Sequence, residues 1–129
     1  MGRIDTKVDI QKDITIQAVY GEVTADEIRK SVLDYYQGEV TRMILWDFRN
    51  ASLARITGEE LRGLVKLTQQ YSQRRSGGKT AGVFSSQADL GVGRMFEIQR
   101  GMDVNKVDHM TFSDIESAYK WLGKQQEQE

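Results

Sequence analysis

Met43, Ile44, Leu45 and Trp46 follow one another with no polar residue between them, and the run then meets Asp47 and Phe48. A strand with one wet face alternates apolar and polar side chains, so an unbroken run belongs to a strand covered on both faces. Such a strand sits in the middle of an α/β sheet, with helices above and below it. In open parallel sheets the ligand or partner site lies beyond the carboxyl ends of the strands. Asp47 and the loop Arg49 to Thr57 are therefore the first functional candidates.

The flanking sequence fits the same architecture. Ile4 to Ile10 and Ile14 to Tyr20 are β-branched and separated by Gln11-Lys12-Asp13, which predicts an opening strand pair. Thr24-Ala25-Asp26-Glu27 has the spacing of a capping box, and Ile28, Val32, Tyr35 and Tyr36 form one helical stripe after it. The pattern repeats at Thr57-Gly58-Glu59-Glu60, followed by Leu61, Leu64, Val65, Thr68 and Tyr71, with Arg74 and Arg75 towards the C-terminal end. Lys79 to Ser85 predicts a further strand. Leu90, Met95, Phe96 and Gln99 suggest a third helix, which Gly91 and Gly93 weaken enough to place its start near Gly93. Lys106 to Phe112 alternates as an edge strand, and Ser113-Asp114-Ile115-Glu116 opens a last helix ending at Gly123. Strands alternating with helices imply a mainly parallel mixed sheet with about four helices. The chain reads as one domain over 1–129, with its core at about 13–123 and a frayed tail at 124–129.

Composition removes whole classes of function. The chain has 129 residues, no cysteine and a single histidine, His109. Disulfides, thiolate metal sites and cysteine nucleophiles are excluded, and no histidine-rich metal centre can be built within one chain. A formal net charge of −1 gives no basis for nucleic-acid binding. No stretch approaches the ~20 apolar residues that span a bilayer, and the N-terminus lacks the apolar core of a signal peptide, so a cytoplasmic protein is expected. Gly2 with Thr6 fits the myristoylation pattern only loosely.

The remaining candidates are few. Asp47 could hold a cation, act as a base or tie down the loop amides of Arg49 to Ala51. A hydrolase built on Asp47 and Glu60 is the enzyme reading; it has no second carboxylate or histidine close in sequence to complete it. Thr57 is placed to cap a helix, a position whose free amides also favour an anion. Gly91-Val92-Gly93-Arg94 is glycine-rich, yet Phe96 stands where a dinucleotide-binding loop needs its third glycine, and no phosphate loop is present. Arg94 and Arg100 either bind an anion or face water. His109 is expected as a half-exposed sheet residue without a catalytic partner. The aromatic residues are expected in the core, or lining an apolar ligand cavity between helix and sheet.

Several segments in order resemble the STAS domain family, and in particular its SpoIIAA-like group. They are Gly21-Glu22-Val23-Thr24, the strand Ile44 to Phe48, Thr57-Gly58, Gly77-Gly78 with Ala81 to Ser85, Val92-x-Arg94-x-Phe96, and Phe112, Ala118 and Trp121-Leu122-Gly123. The resemblance implies a non-enzymatic binding or regulatory domain without cofactor or metal. In the anti-sigma factor antagonists a hydroxyl residue before a glycine is phosphorylated by a partner kinase. That motif falls on Arg55-Ile56-Thr57-Gly58, where Thr57 and Gly58 match and the family's aspartate and first serine are replaced by Arg55 and Ile56. A partner of the anti-sigma-factor kinase kind would then meet Thr57, Gly58, Asp47 and Ser52. The SpoIIAA-like group is also linked with apolar ligands and peripheral membrane contact. On that reading a lipid or small apolar molecule would touch Trp46, Leu90, Val92, Met95 and Phe96, under a mobile cover formed by Gln87 to Gly101. A homodimer is compatible with either version.

Overall fold

The apolar run of Met43 to Phe48 lies at the centre of a five-stranded sheet. The computed structural model describes residues 2–126; the last part of the expected frayed tail, 127–129, lies outside the described residues. The strands β1 (Gly2–Asp9), β2 (Ile14–Glu22), β3 (Met43–Ser52), β4 (Lys79–Val83) and β5 (Asp108–Phe112) stand side by side in chain order. The first pair is antiparallel and the other three pairings are parallel. The helices are α1 (Ala25–Gln37), α2 (Gly58–Gln70), α3 (Gln87–Arg100) and α4 (Ile115–Leu122), with a 3-10 turn at Ser72–Arg75.

Each parallel strand is added on the same side of its predecessor, so three right-handed crossovers place α1, α2 and α3 on one face. The opposite face is covered by α4. The period of two along β3 divides its side chains between these layers. Ile44, Trp46 and Phe48 face the three-helix layer with Tyr35, Tyr36, Leu64 and Phe84. Leu45 faces α4 with Ala81, Val83, Ala118, Tyr119 and Leu122, and is fully buried. Burying that side chain contributes about 1.5–3 kcal/mol.

Two element ends differ from the expected ones. β3 continues past Phe48 to Ser52, because Tyr20, Gly21 and Glu22 pair with Asn50, Ala51 and Ser52 after a bulge in β3, where Phe48 and Arg49 stand opposite Val19 alone. Asp47 is therefore an interior strand residue and does not mark the strand's end. α3 starts at Gln87, six residues before Gly93, with the Ser86 hydroxyl capping the Asp89 N–H at 3.1 Å. Gly93 has a packing role: a Cβ there would stand 2.4 Å from Cε2 of Phe84. The missing side chain lets α3 close onto a ring that is stacked on Phe48 at a centroid distance of 5.0 Å. The segment expected as the cover, Gln87 to Gly101, forms α3 and its C-cap and packs on the sheet. Among the described residues no helix is long and apolar enough to cross a membrane.

Candidate functional site

Between the sheet and the three-helix layer lies a cavity of about 130 Å³. Its floor comes from the alternate side chains of β3 and β4 that point to this layer, including Ile44, Trp46 and Phe48. Its roof comes from the inward stripes of the helices, among them Val32 on α1, Leu64 on α2, and Val92 and Phe96 on α3. Most of this wall is hydrocarbon and aromatic, which disfavours water and favours an apolar guest.

One end is polar. There Arg75, Arg100, Thr80, Glu97 and His109 also line the space. It lies at the amino ends of β3, β4 and β5, opposite to the edge where open parallel sheets usually bind. Arg75 comes from the 3-10 turn and is almost wholly buried. Its guanidinium donates to the Thr41 carbonyl at 3.3 Å, the Thr80 hydroxyl at 2.8 Å, the Arg42 carbonyl at 2.7 Å and the Lys79 carbonyl at 2.9 Å. Those bonds tie the starts of β3 and β4 together. Its donors are used by the fold.

Arg100, the last residue of α3, is equally buried at 3% exposure and far less well satisfied. Its Nε donates to His109 Nε2 over 3.4 Å, and its Nη2 lies 3.6 Å from an Asp103 carboxylate oxygen. Among the described residues Nη1 has no hydrogen-bond partner, and neither has Nδ1 of His109. Burial lowers the Arg100 pKa below the usual guanidinium range, with Asp103 opposing that shift. Burial also drives the His109 pKa down to about 3, helped by the positive charges of Arg100 and Arg75. The backbone of Val107 pulls the ring weakly the other way without satisfying Nδ1. The imidazole is therefore neutral at ordinary pH. Since Nε2 accepts from Arg100, the ring proton sits on Nδ1 and makes it a donor. Glu97, one turn before Arg100, accepts from the Thr111 N–H at 2.8 Å.

The sequence sets this cluster out as unrelated parts. Arg100 was expected in an anion site or facing water, beside Arg94; Arg94 is exposed, and only Arg100 turns inward. Arg75 reads in sequence as a cation suiting a helix C-terminus, and the structure buries it. His109 does stand on an edge strand and is partly exposed as a residue, but its Nδ1 is buried away from water. Among the expected apolar contacts, Trp46, Val92 and Phe96 line the cavity. Leu90 is buried in the core beside it, while Met95 is half exposed, and neither lines the space. Among the described residues no group of three or more His, Asp or Glu side chains could hold a metal ion.

No family model matches the sequence, and no curated protein matches it. A solved structure of an uncharacterized protein of the DUF3478 family with a SpoIIAA-like fold, from Shewanella loihica PV-4, is similar to it. The likeness covers 94% of this chain and 93% of that one, with a TM-score of 0.58 and 14% sequence identity. The fold is SpoIIAA-like. At that identity the likeness establishes architecture and carries no activity across.

Within the SpoIIAA-like fold, the residues expected at the β3 edge are engaged locally. Asp47 accepts from the Arg49 N–H at 3.1 Å and from Arg49 Nε and Nη2 at 2.9 Å each. Burial alone would raise its pKa, but the Arg49 hydrogen bonds hold the carboxyl below the usual range. By the strand's alternation Asp47 points to the α4 layer, away from the cavity. Ser52 accepts from the Ala54 N–H at 3.2 Å. Thr57 and Gly58 are exposed. Thr57 completes a capping box, its hydroxyl accepting from the Glu60 N–H at 3.1 Å and its N–H donating to the Glu60 carboxylate at 2.9 Å. Thr57→Ala is expected to lower stability by about 1 kcal/mol in urea titration, the usual cost of losing such a cap.

Proposed function

We propose that this chain is a non-enzymatic, cytoplasmic binding domain that takes a small apolar ligand between the sheet and α1, α2 and α3. The cavity carries this reading: about 130 Å³ with a wall dominated by Trp46, Phe48, Leu64, Phe96 and their aliphatic neighbours. Cavities of about 150 Å³ with such walls stay dry and take up a single benzene ring. The size selects against a whole two-chain lipid and favours one ring or one short chain. Asp47, the first catalytic candidate, is held by Arg49 on the other face of the sheet, which weighs against a hydrolase. Ile98, Met102 and Val104 are exposed around the end of α3 and could provide transient membrane contact for loading.

A ligand that binds only the folded state raises stability by about 2.7 kcal/mol at a hundredfold excess over its Kd. Short fatty acids of about six carbons are therefore expected to raise the melting temperature in a concentration-dependent way. Native mass spectrometry of freshly purified protein is expected to show a small co-purifying mass. If no such mass is found and the melting temperature does not move, the reading is wrong.

A further inference from the structure

We propose that the ligand is a small monocarboxylic acid whose apolar body lies between Trp46 and Phe96 and whose carboxylate is bound by Arg100 Nη1, with His109 Nδ1–H as a second donor. The inference rests on the cavity reading above and specifies its chemistry.

The contrast between the two buried arginines decides the polar end. Arg75 makes four hydrogen bonds of 3.3 Å or less. Arg100, with its side chain 1% exposed, makes one long bond to a neutral ring and one ion-pair contact at 3.6 Å. A buried guanidinium left with a free N–H is costly, because the desolvated donor recovers nothing from the fold. The neighbouring carboxylate does not fill that role. Asp103 accepts from the Asn105 and Val107 N–H groups at 3.0 and 3.2 Å, which fixes it at the mouth of the α3–β5 loop. Glu97 is taken by Thr111.

Both unsatisfied donors belong to side chains that line the same end of one largely apolar space. A group that only accepts, and that brings negative charge to two buried guanidinium groups, matches them best. A carboxylate does both, and its planar pair of oxygens suits an arginine fork. An ammonium head would face Arg100 and Arg75 with like charge. A neutral alcohol has one oxygen to set against the two donors and forms no charge-assisted bond with the guanidinium.

Hexanoate and hexan-1-ol share an apolar body and differ in the head group, and inorganic phosphate and acetate supply an anion without such a body. Each is titrated into the isotope-labelled full chain near neutral pH, with amide chemical shifts as the readout. Hexanoate is expected to bind about tenfold more tightly than hexan-1-ol, the usual advantage of a charge-assisted hydrogen bond, and to shift the amides of Arg100 and His109. Arg100→Met is expected to erase that preference while leaving hexan-1-ol binding in place, and Arg100→Lys to keep part of it. Equal affinity of the wild-type chain for acid and alcohol would overturn the carboxylate proposal and leave the apolar cavity standing. Binding of neither would overturn both. Phosphate or acetate binding as tightly as hexanoate would overturn the requirement for an apolar body. If Arg100→Met does not fold, the wild-type comparison of acid, alcohol and free anion decides alone.

Discussion

Between pH 6 and about pH 4.5 the wild-type chain is expected to lose stability more steeply than its His109→Phe variant, by about 1.4 kcal/mol for each pH unit. The sign follows from the two states. In the unfolded chain the imidazole takes a proton near its ordinary pKa of about 6.5. In the folded chain burial and the charges of Arg100 and Arg75 keep it neutral down to about pH 3. Between those values the unfolded state binds a proton that the folded state refuses, so acid favours unfolding. Above about pH 7.5 neither state is protonated and the contribution is full and constant. Asp13, Asp47 and Asp103 also have lowered pKa values, but their stabilisation is lost only as pH falls below the ordinary carboxylate range. Urea titrations at several pH values check the prediction through the difference in slope between wild type and variant. Parallel slopes would mean that the ring takes up its proton in the folded protein as readily as in the unfolded one.

The features that were legible in the sequence are local. Thr24 with Glu27 and Thr57 with Glu60 were readable as capping boxes because each pair lies three residues apart, and both form. The central place of Met43 to Phe48 was readable because a strand covered on both faces has no polar alternation to preserve. The strand's extension to Ser52 was not, since Arg49-Asn50-Ala51-Ser52 has weak strand character and is held by pairing with Tyr20 to Glu22. Gly93 misled for a related reason. Intrinsic propensity counts glycine against a helix, whereas here close packing on Phe84 outweighs that cost of about 1 kcal/mol.

The polar end of the cavity was illegible for a different reason. Arg75, Arg100 and His109 are separated in sequence and occupy a turn, a helix end and an edge strand, each an ordinary place for a solvated polar residue. Only the parallel order of β3, β4 and β5 brings them to one end of the sheet. The expected candidates on the other side, Asp47 inside β3 and Thr57 at the start of α2, bond to their own neighbours. The unsatisfied donors collect at the amino ends. Burial with too few partners, which sequence spacing does not encode, marks Arg100 out.

Gly78→Ala is expected to cost about 3 kcal/mol or more, at the upper end of what overpacking does. A Cβ at this position would stand 2.2 Å from the Arg42 carbonyl oxygen and 2.8 Å from that of Arg75. Both obstacles are backbone, so no side-chain rotation relieves the clash. The Arg42 carbonyl is also a shared acceptor, taking the Lys79 N–H at 3.1 Å and Arg75 Nη2 at 2.7 Å. Moving it away loosens the β3–β4 junction and unseats the buried Arg75 together. The Gly78 N–H donates to Arg75 and its carbonyl accepts from Asp108, so the strain would also reach the start of β5. Gly77→Ala makes a control of a different kind: it has open space around its Cβ position and a positive φ of 76°, so it carries backbone strain without the clash. Urea denaturation of the two variants compares these costs, and Gly78→Ala is expected to be the more damaging. If Gly78→Ala unfolds at the wild-type urea midpoint, the approach of β3 to the 3-10 turn is looser than described and Arg75 is not the clasp of this junction.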